Sequence, residues 1–183
     1  SKEKKYMKIS SSRYDEDWAQ IPEFPNYSVS SWGRIRREDH DRIIALSRNQ
    51  QGNIMAAFLK DGKQYRRSVA TIVADNFLGD EKREPFTTPT HQDGDKTNNY
   101  VGNLFWRPRW FTVRYQQQFE NGFPPRIPRR ILNHNTGVIS ENSAEASIQN
   151  VVLERDIFRC ALIDSIPIFP DWHMFSIYTK PDI

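Results

Sequence analysis

From Thr90 to Trp106 the chain reads Thr-His-Gln-Asp-Gly-Asp-Lys-Thr-Asn-Asn-Tyr-Val-Gly-Asn-Leu-Phe-Trp, a stretch crowded with side chains that can accept a proton or brace a loop. An imidazole whose ordinary pKa is near ~6.5 is largely neutral at pH 7, so His91 can serve as a general base. Asp93, Asn98 and Asn99 can close the loop around it through side-chain to backbone hydrogen bonds. From Arg107 to Arg130 follow six arginines (Arg107, Arg109, Arg114, Arg126, Arg129 and Arg130) and one acid, Glu120, interleaved with Trp106, Trp110, Phe111, Tyr115, Phe119 and Phe123. Forked guanidinium donors among aromatic faces are the composition expected beside a nucleic-acid backbone. The same composition also describes a solvated helix with its apolar side in a core. Cys160 lies beside an apolar stripe with no neighbouring histidine or basic cluster to activate its thiol, so it reads as packing.

The elements that must position these groups follow from pattern. His91 ends a strand, Thr87 to His91; then come a polar loop, Gln92 to Gly102, a short strand, Asn103 to Arg107, and a helix opened by Pro108, where proline loses no hydrogen bond. Together they predict a compact ββα unit over 86–122. Upstream, residues 1–15 are a charged tail with little to bury. Residues 16–85 form a β-rich module. Prolines exclude helix between Ile21 and Arg36; Tyr27 and Val29 alternate as a strand, and Ile35 begins another. Asp61-Gly62 between two strand-like runs predicts a hairpin. Ser68 caps a helix carrying Val69, Ile72, Val73 and Phe77, which Gly79 stops. The charged, proline-broken stretch over 80–89 marks a module boundary.

Downstream, 122–128 reads as a stiff proline linker into a third module, 123–183. A hairpin turns at Asn133 to Gly137. Two short helices follow: Asn142 or Ser143 caps the first, with Ala144, Ile148 and Val151 on one face. The second carries Leu153, Ile157, Phe158, Ala161 and Leu162 as its apolar stripe, leaving Glu154, Arg155 and Arg159 outward. The pair suits a helix-turn-helix and equally a plain αα-hairpin. The fold class is α+β.

Bulk composition narrows the function. Hydrophobic residues at 37% and aromatics at 13% exclude a chain disordered throughout. One cysteine excludes a disulfide framework and every multi-cysteine zinc site, and fits a reducing compartment. No apolar run reaches the ~18 residues a membrane span needs, and no apolar stretch of a signal peptide follows Ser1, so the expectation is a soluble intracellular protein without membrane contact. A net charge of +3 does not by itself declare a nucleic-acid binder.

The ordered set of His91, Asp93-Gly94, Asn98-Asn99 and Asn103-Leu-Phe-Trp106 resembles the His-Asn-His (HNH) nuclease motif, a ββα unit that holds one divalent cation. Trp18-Ala-Gln-Ile21 with Phe24-Pro-Asn-Tyr-Ser-Val-Ser-Ser-Trp-Gly-Arg-Ile35 looks like the N-terminal nuclease-associated modular domain of phage homing-type endonucleases. Arg130 to Tyr178, with Asn135-Thr-Gly137, the two helices and Phe169-Pro-Asp-Trp172, is more loosely similar to their C-terminal modular domain, which supplies a DNA-binding helix-turn-helix. The resemblance covers 16–178. It implies double-stranded DNA as partner, the cytoplasm of a phage-infected or bacterial cell as location, and Mg²⁺ or Mn²⁺ as cofactor in an active enzyme. By the same resemblance His91 polarises the attacking water, Asn103 braces the loop, and Asp93, Asn98 and Asn99 hold it. Candidate DNA contacts are Arg107, Arg109, Arg114, Arg126, Arg129, Arg130, Arg155 and Arg159.

The chain departs from the family at the cation. The ligand before the histidine is Thr90, and the second, on the following helix, is Thr112. Hard divalent ions prefer carboxylate and carbonyl oxygens, and a neutral hydroxyl is a weak ligand. Two functions therefore stand open: a DNA endonuclease in which Asp93 or Asp95 rescues the metal, and a degenerate HNH protein retained for DNA binding as an accessory or regulatory factor. A third is a virion or complex component whose arginine helix meets protein or RNA.

Overall fold

The computed structural model describes residues 15–121 and 126–180; most of the expected tail, and 122–125 of the expected linker, lie outside the described residues. Strands β1 (Trp18–Ile21), β2 (Phe24–Ser30), β3 (Ile35–Arg37) and β4 (Arg42–Ile43) form one antiparallel sheet in that order. A second sheet follows from β5 (Ser47–Arg48), β6 (Ile54–Lys60) and β7 (Lys63–Ser68), and helix α1 (Val69–Phe77) comes next. The predicted hairpin is present. Lys60 pairs with Lys63, and Asp61 and Gly62 take φ of 52° and 72°, the mirror-image turn that matches strand twist. The Ser68 hydroxyl accepts the Thr71 N–H at 3.4 Å and caps α1. Val69, Ile72 and Val73 bury against Tyr27, Val29, Ile35 and Phe58, and the Phe24 and Phe58 rings stack at 4.3 Å. α1 stops immediately before Gly79, as expected. The helix closes at Leu78, whose N–H bonds to the Ala74 carbonyl, and Gly79 opens a 3₁₀ turn, Gly79–Glu81. Strands β4 and β5, two residues each, are too short to show an alternation in sequence.

The chain continues through β8 (Phe86–His91), a 3₁₀ turn (Val101–Asn103), β9 (Leu104–Pro108) and α2 (Arg109–Asn121), with β8 and β9 forming a two-stranded sheet. Two expectations shift by a residue or more. Asn103 lies in the 3₁₀ turn instead of opening a strand, and Pro108 closes β9 with α2 starting after it.

The C-terminal part comprises β10 (Ile131–Asn133), β11 (Ile139–Ser140), α3 (Ser143–Asn150), α4 (Glu154–Arg159), a π-helical turn (Cys160–Asp164) and β12 (Phe175–Ile177), with sheet order β11-β10-β12. The third strand was not anticipated. Its partner register, Ile131 opposite Ile177, comes from residues more than forty apart. Asn142 caps α3, accepting the Glu145 N–H at 2.9 Å. Ile131, Ala146, Val152, Ile157, Cys160 and Phe175 make the core, so Cys160 is packing, as read. The end of the supposed linker is part of this core: Ile127 is buried and exchanges hydrogen bonds with Ser143. Val151 sits past α3 in the left-handed region, φ 57°, and Leu162 is exposed, so neither lies on the expected apolar faces. Glu154, expected outward, is 4% exposed.

Two compact units result: residues up to Lys82 with Asp95–Trp106, and Arg83–Gly94 with Arg107 onward. The division runs through the 86–122 segment that the sequence suggested as a module of its own.

Candidate nuclease-type site

In the second unit, β8 delivers Thr90 and His91, and α2 holds the turn that follows. His91 is 7% exposed, and its carbonyl accepts the Gly94 N–H at 3.1 Å. Gly94 has φ +75°, and a Cβ there would meet the Phe119 ring at 2.3 Å, so conformation and packing both require glycine. The Tyr115 hydroxyl donates to the Gln92 carbonyl at 2.5 Å, and Gln116 Nε2 donates to the Gly94 carbonyl at 2.8 Å. Burial drives the Tyr115 phenol far above its usual range, so it remains a proton donor. Thr112, Tyr115, Gln116 and Phe119 share the inward face of α2 through their i, i+3, i+4, i+7 spacing. Sequence reading missed Tyr115 and Gln116 as clamps. That spacing, together with the Asp-Gly turn, was the available signal.

In the first unit, the loop after Asp95 is held from within. Asp95 Oδ1 accepts the Thr97 N–H at 2.8 Å and the Thr97 hydroxyl at 2.6 Å. Asn98 Oδ1 accepts the Tyr100 N–H at 3.4 Å, and Asn103 Nδ2 donates to the Asn98 carbonyl at 2.9 Å. Asn99 is buried against Gly33, and the Trp106 indole N–H donates to the Leu78 carbonyl at 2.9 Å. His91 belongs to the second unit and Asn103 to the first. Asp93 and Asp95 are both exposed.

The two cation-ligand positions do meet. Thr90 Oγ1 and Thr112 Oγ1 lie 2.6 Å apart, and the Thr112 hydroxyl also reaches the Pro108 carbonyl at 3.2 Å. One consistent proton order is Thr90 to Thr112 and Thr112 to Pro108, which satisfies both hydroxyls with protein partners alone. Thr90 is 2% exposed. Among the described residues no group of three or more His, Cys, Asp or Glu could hold a metal ion. Two neutral hydroxyls that answer each other do not fit a hard divalent cation.

The arginines divide sharply. Arg107 Nε donates to the Ile148 carbonyl at 2.6 Å, at the end of α3. Arg126 pairs with the buried Glu154 at 3.3 Å and covers the Phe119 ring at 4.9 Å. Arg130, Arg155 and Arg159 pair with Glu141, Asp156 and Asp164. Arg109, Arg114 and Arg129 are exposed, with no internal partner among the described residues.

A strand ending in a buried histidine, a glycine-dependent turn and a helix folded back over both form one strand-turn-helix arrangement. Residues 16–67 match the NUMOD4 motif. Two uncharacterized HNH endonucleases of Acanthamoeba polyphaga mimivirus are similar to the chain. One is 30% identical over 99 residues, 52% of this chain and 24% of the relative; the other is 29% identical over 89 residues, 49% and 26%. The matched part thus spans about a quarter of those relatives' length. The solved structure of the HNH homing endonuclease I-HmuI, described as showing DNA binding and cleavage, shares the fold with a TM-score of 0.50 at 18% identity. The match covers 90% of this chain and 99% of that one.

Proposed function

We propose that the chain is a DNA-binding protein on an HNH homing-endonuclease scaffold whose cation position is closed, acting as a non-enzymatic accessory or regulatory factor. The observation that carries this is the 2.6 Å bond between the Thr90 and Thr112 hydroxyls. Phosphodiester cleavage needs charge stabilisation at the pentavalent phosphorus and the leaving oxygen, a large part of the catalytic free energy. A histidine base alone contributes roughly 10²- to 10⁴-fold. Binding does not share that dependence: Arg109, Arg114 and Arg129 carry charge that nothing inside the described protein neutralises, and phosphate contacts of this kind need no metal. Among the described residues no helix is long and apolar enough to cross a membrane. The cytoplasm of a phage-infected or bacterial cell, where the DNA is accessible, is the proposed setting.

The test is supercoiled-plasmid nicking across Mg²⁺ and Mn²⁺ for the unaltered protein, His91→Ala and the double variant Thr90→Asp/Thr112→Asn. The expected result is no His91-dependent nicking by the unaltered protein, and a cation-dependent gain in the double variant. Nicking by the unaltered protein that disappears in His91→Ala overturns the closed-site reading.

A further inference from the structure

The outward face of α2 is unlike the rest of the surface. Opposite the strip that clamps the His91 turn, Arg109, Trp110, Val113, Arg114 and Gln117 are all exposed. Trp110 is 55% exposed and Val113 50%, placing an indole and an isopropyl group in water between two arginines without internal partners. The indole is braced at its base, meeting the Phe111 ring edge-on at 5.8 Å with an interplanar angle of 89°, while Phe111 itself is fully buried. A projecting aromatic on a rigid helix loses little conformational freedom on contact.

An exposed aromatic pair elsewhere provides the contrast. Phe169 and Trp172 are 74% and 61% exposed, but Asp171 stands between them in sequence. That carboxylate opposes a phosphate backbone. The α2 strip has no acid from Arg109 to Phe119. Charge complementarity therefore selects duplex DNA as the occupant of the α2 face.

Groove dimensions decide how that face engages. A helix with its side chains is about 10–12 Å across, and the minor groove is about 6 Å wide, so α2 cannot enter it bodily. One indole can. Apolar side chains flanked by arginines unstack base steps from the minor groove and bend the duplex. We propose that Trp110 is a DNA wedge: its ring inserts at a base step while Arg109 and Arg114 hold the flanking phosphates, untwisting the duplex locally without any cut. This rests on the DNA-binding reading above and adds a deformation that phosphate contact alone does not produce.

The experiment relaxes a closed circular plasmid with topoisomerase I in the presence of the protein, then removes protein and reads the topoisomer distribution; duplex affinity is measured in parallel by fluorescence anisotropy. Each variant is used at a concentration that saturates its own binding. The unaltered protein should shift the topoisomers toward unwinding, Trp110→Ala should lose the shift while still binding, and Trp110→Phe should retain most of it. Trp172→Ala should behave as the unaltered protein. Arg109→Ala/Arg114→Ala should weaken binding and lower the slope of log K against log salt by about two. Binding without unwinding, or unwinding that survives Trp110→Ala, overturns the wedge and leaves DNA binding standing. Absence of duplex binding at low salt overturns both.

Discussion

Gly94 sits where two independent constraints coincide, a left-handed backbone and an aromatic ring against its α-carbon. Gly94→Ala should therefore cost about 2–5 kcal/mol, from ~1–2 for the left-handed alanine and ~1–3 for overpacking. Urea unfolding measures it. In a Phe119→Ala background the same substitution should cost only the backbone part, and equal costs in both backgrounds would show that the ring can move aside. The sequence displayed half of this arrangement. Asp-Gly announces a turn from local conformational preference, but nothing local says which ring, twenty-five residues away, closes on it. The threonines were legible in the same partial way. Their identity at two ligand positions was readable against a family pattern, whereas their hydroxyl-to-hydroxyl bond depends on the approach of β8 to α2.

At the scale of elements, the first unit carries ion pairs that join segments distant in sequence. Arg34 bonds Glu16, and Arg67 bonds Glu23. Each guanidinium holds its carboxyl below the ordinary value of 4.5. A carboxyl depressed in the folded state contributes stability that is present above the unfolded pKa and fades as pH falls through the folded one. The melting temperature should therefore drop as pH is lowered from about 5 toward 3, with Arg34→Met and Arg67→Met each reducing the drop, and added salt should blunt it because these pairs are exposed. An acid response unchanged in both variants would assign it to other carboxylates. Glu154 behaves differently. It accepts the Ser143 hydroxyl at 2.5 Å and pairs with Arg126, joining the start of α4 to α3 and to the chain entering β10. Glu154→Ala should destabilise the second unit by about 1–3 kcal/mol, mostly through the buried groups left unpaired, since Arg126 is itself partly solvated. Helical periodicity placed Glu154 outward because a charged residue beside an apolar stripe normally faces water. Two partners from outside the helix reversed that. The hairpin of β6 and β7 and the cap of α1 were legible because their determinants are contiguous; β12 was not, because its pairing with β10 is a long-range event with no local signature.

At the scale of the whole molecule, the end of β9 and α2 are tied to the C-terminal part of the chain by three contacts within the second unit: Arg107 to the Ile148 carbonyl, the Gln118 side chain to the Arg155 N–H at 3.3 Å, and Arg126 over Phe119. The part that carries α3 and α4 is thus built into the same body as the His91 turn. Removing 126–180 should abolish amide-exchange protection over 90–94 and at Tyr115, read by hydrogen exchange with mass spectrometry. Protection retained in the truncated chain would show that β8 and α2 stand without the C-terminal helices. Three modules in series were expected because composition changes near residues 80 and 122; the folded chain instead leaves its first unit after Lys82, returns at Asp95 and leaves again after Trp106. This path matters during synthesis, which delivers the chain from the N-terminus at about 5–20 residues per second. The first unit stays incomplete until Trp106 has emerged, and β8 waits for its partner strand β9 and for α2. Nascent chains halted between residues 83 and 106 should be the ones chaperones hold longest, and no gene fusion cut at a single point leaves both units whole.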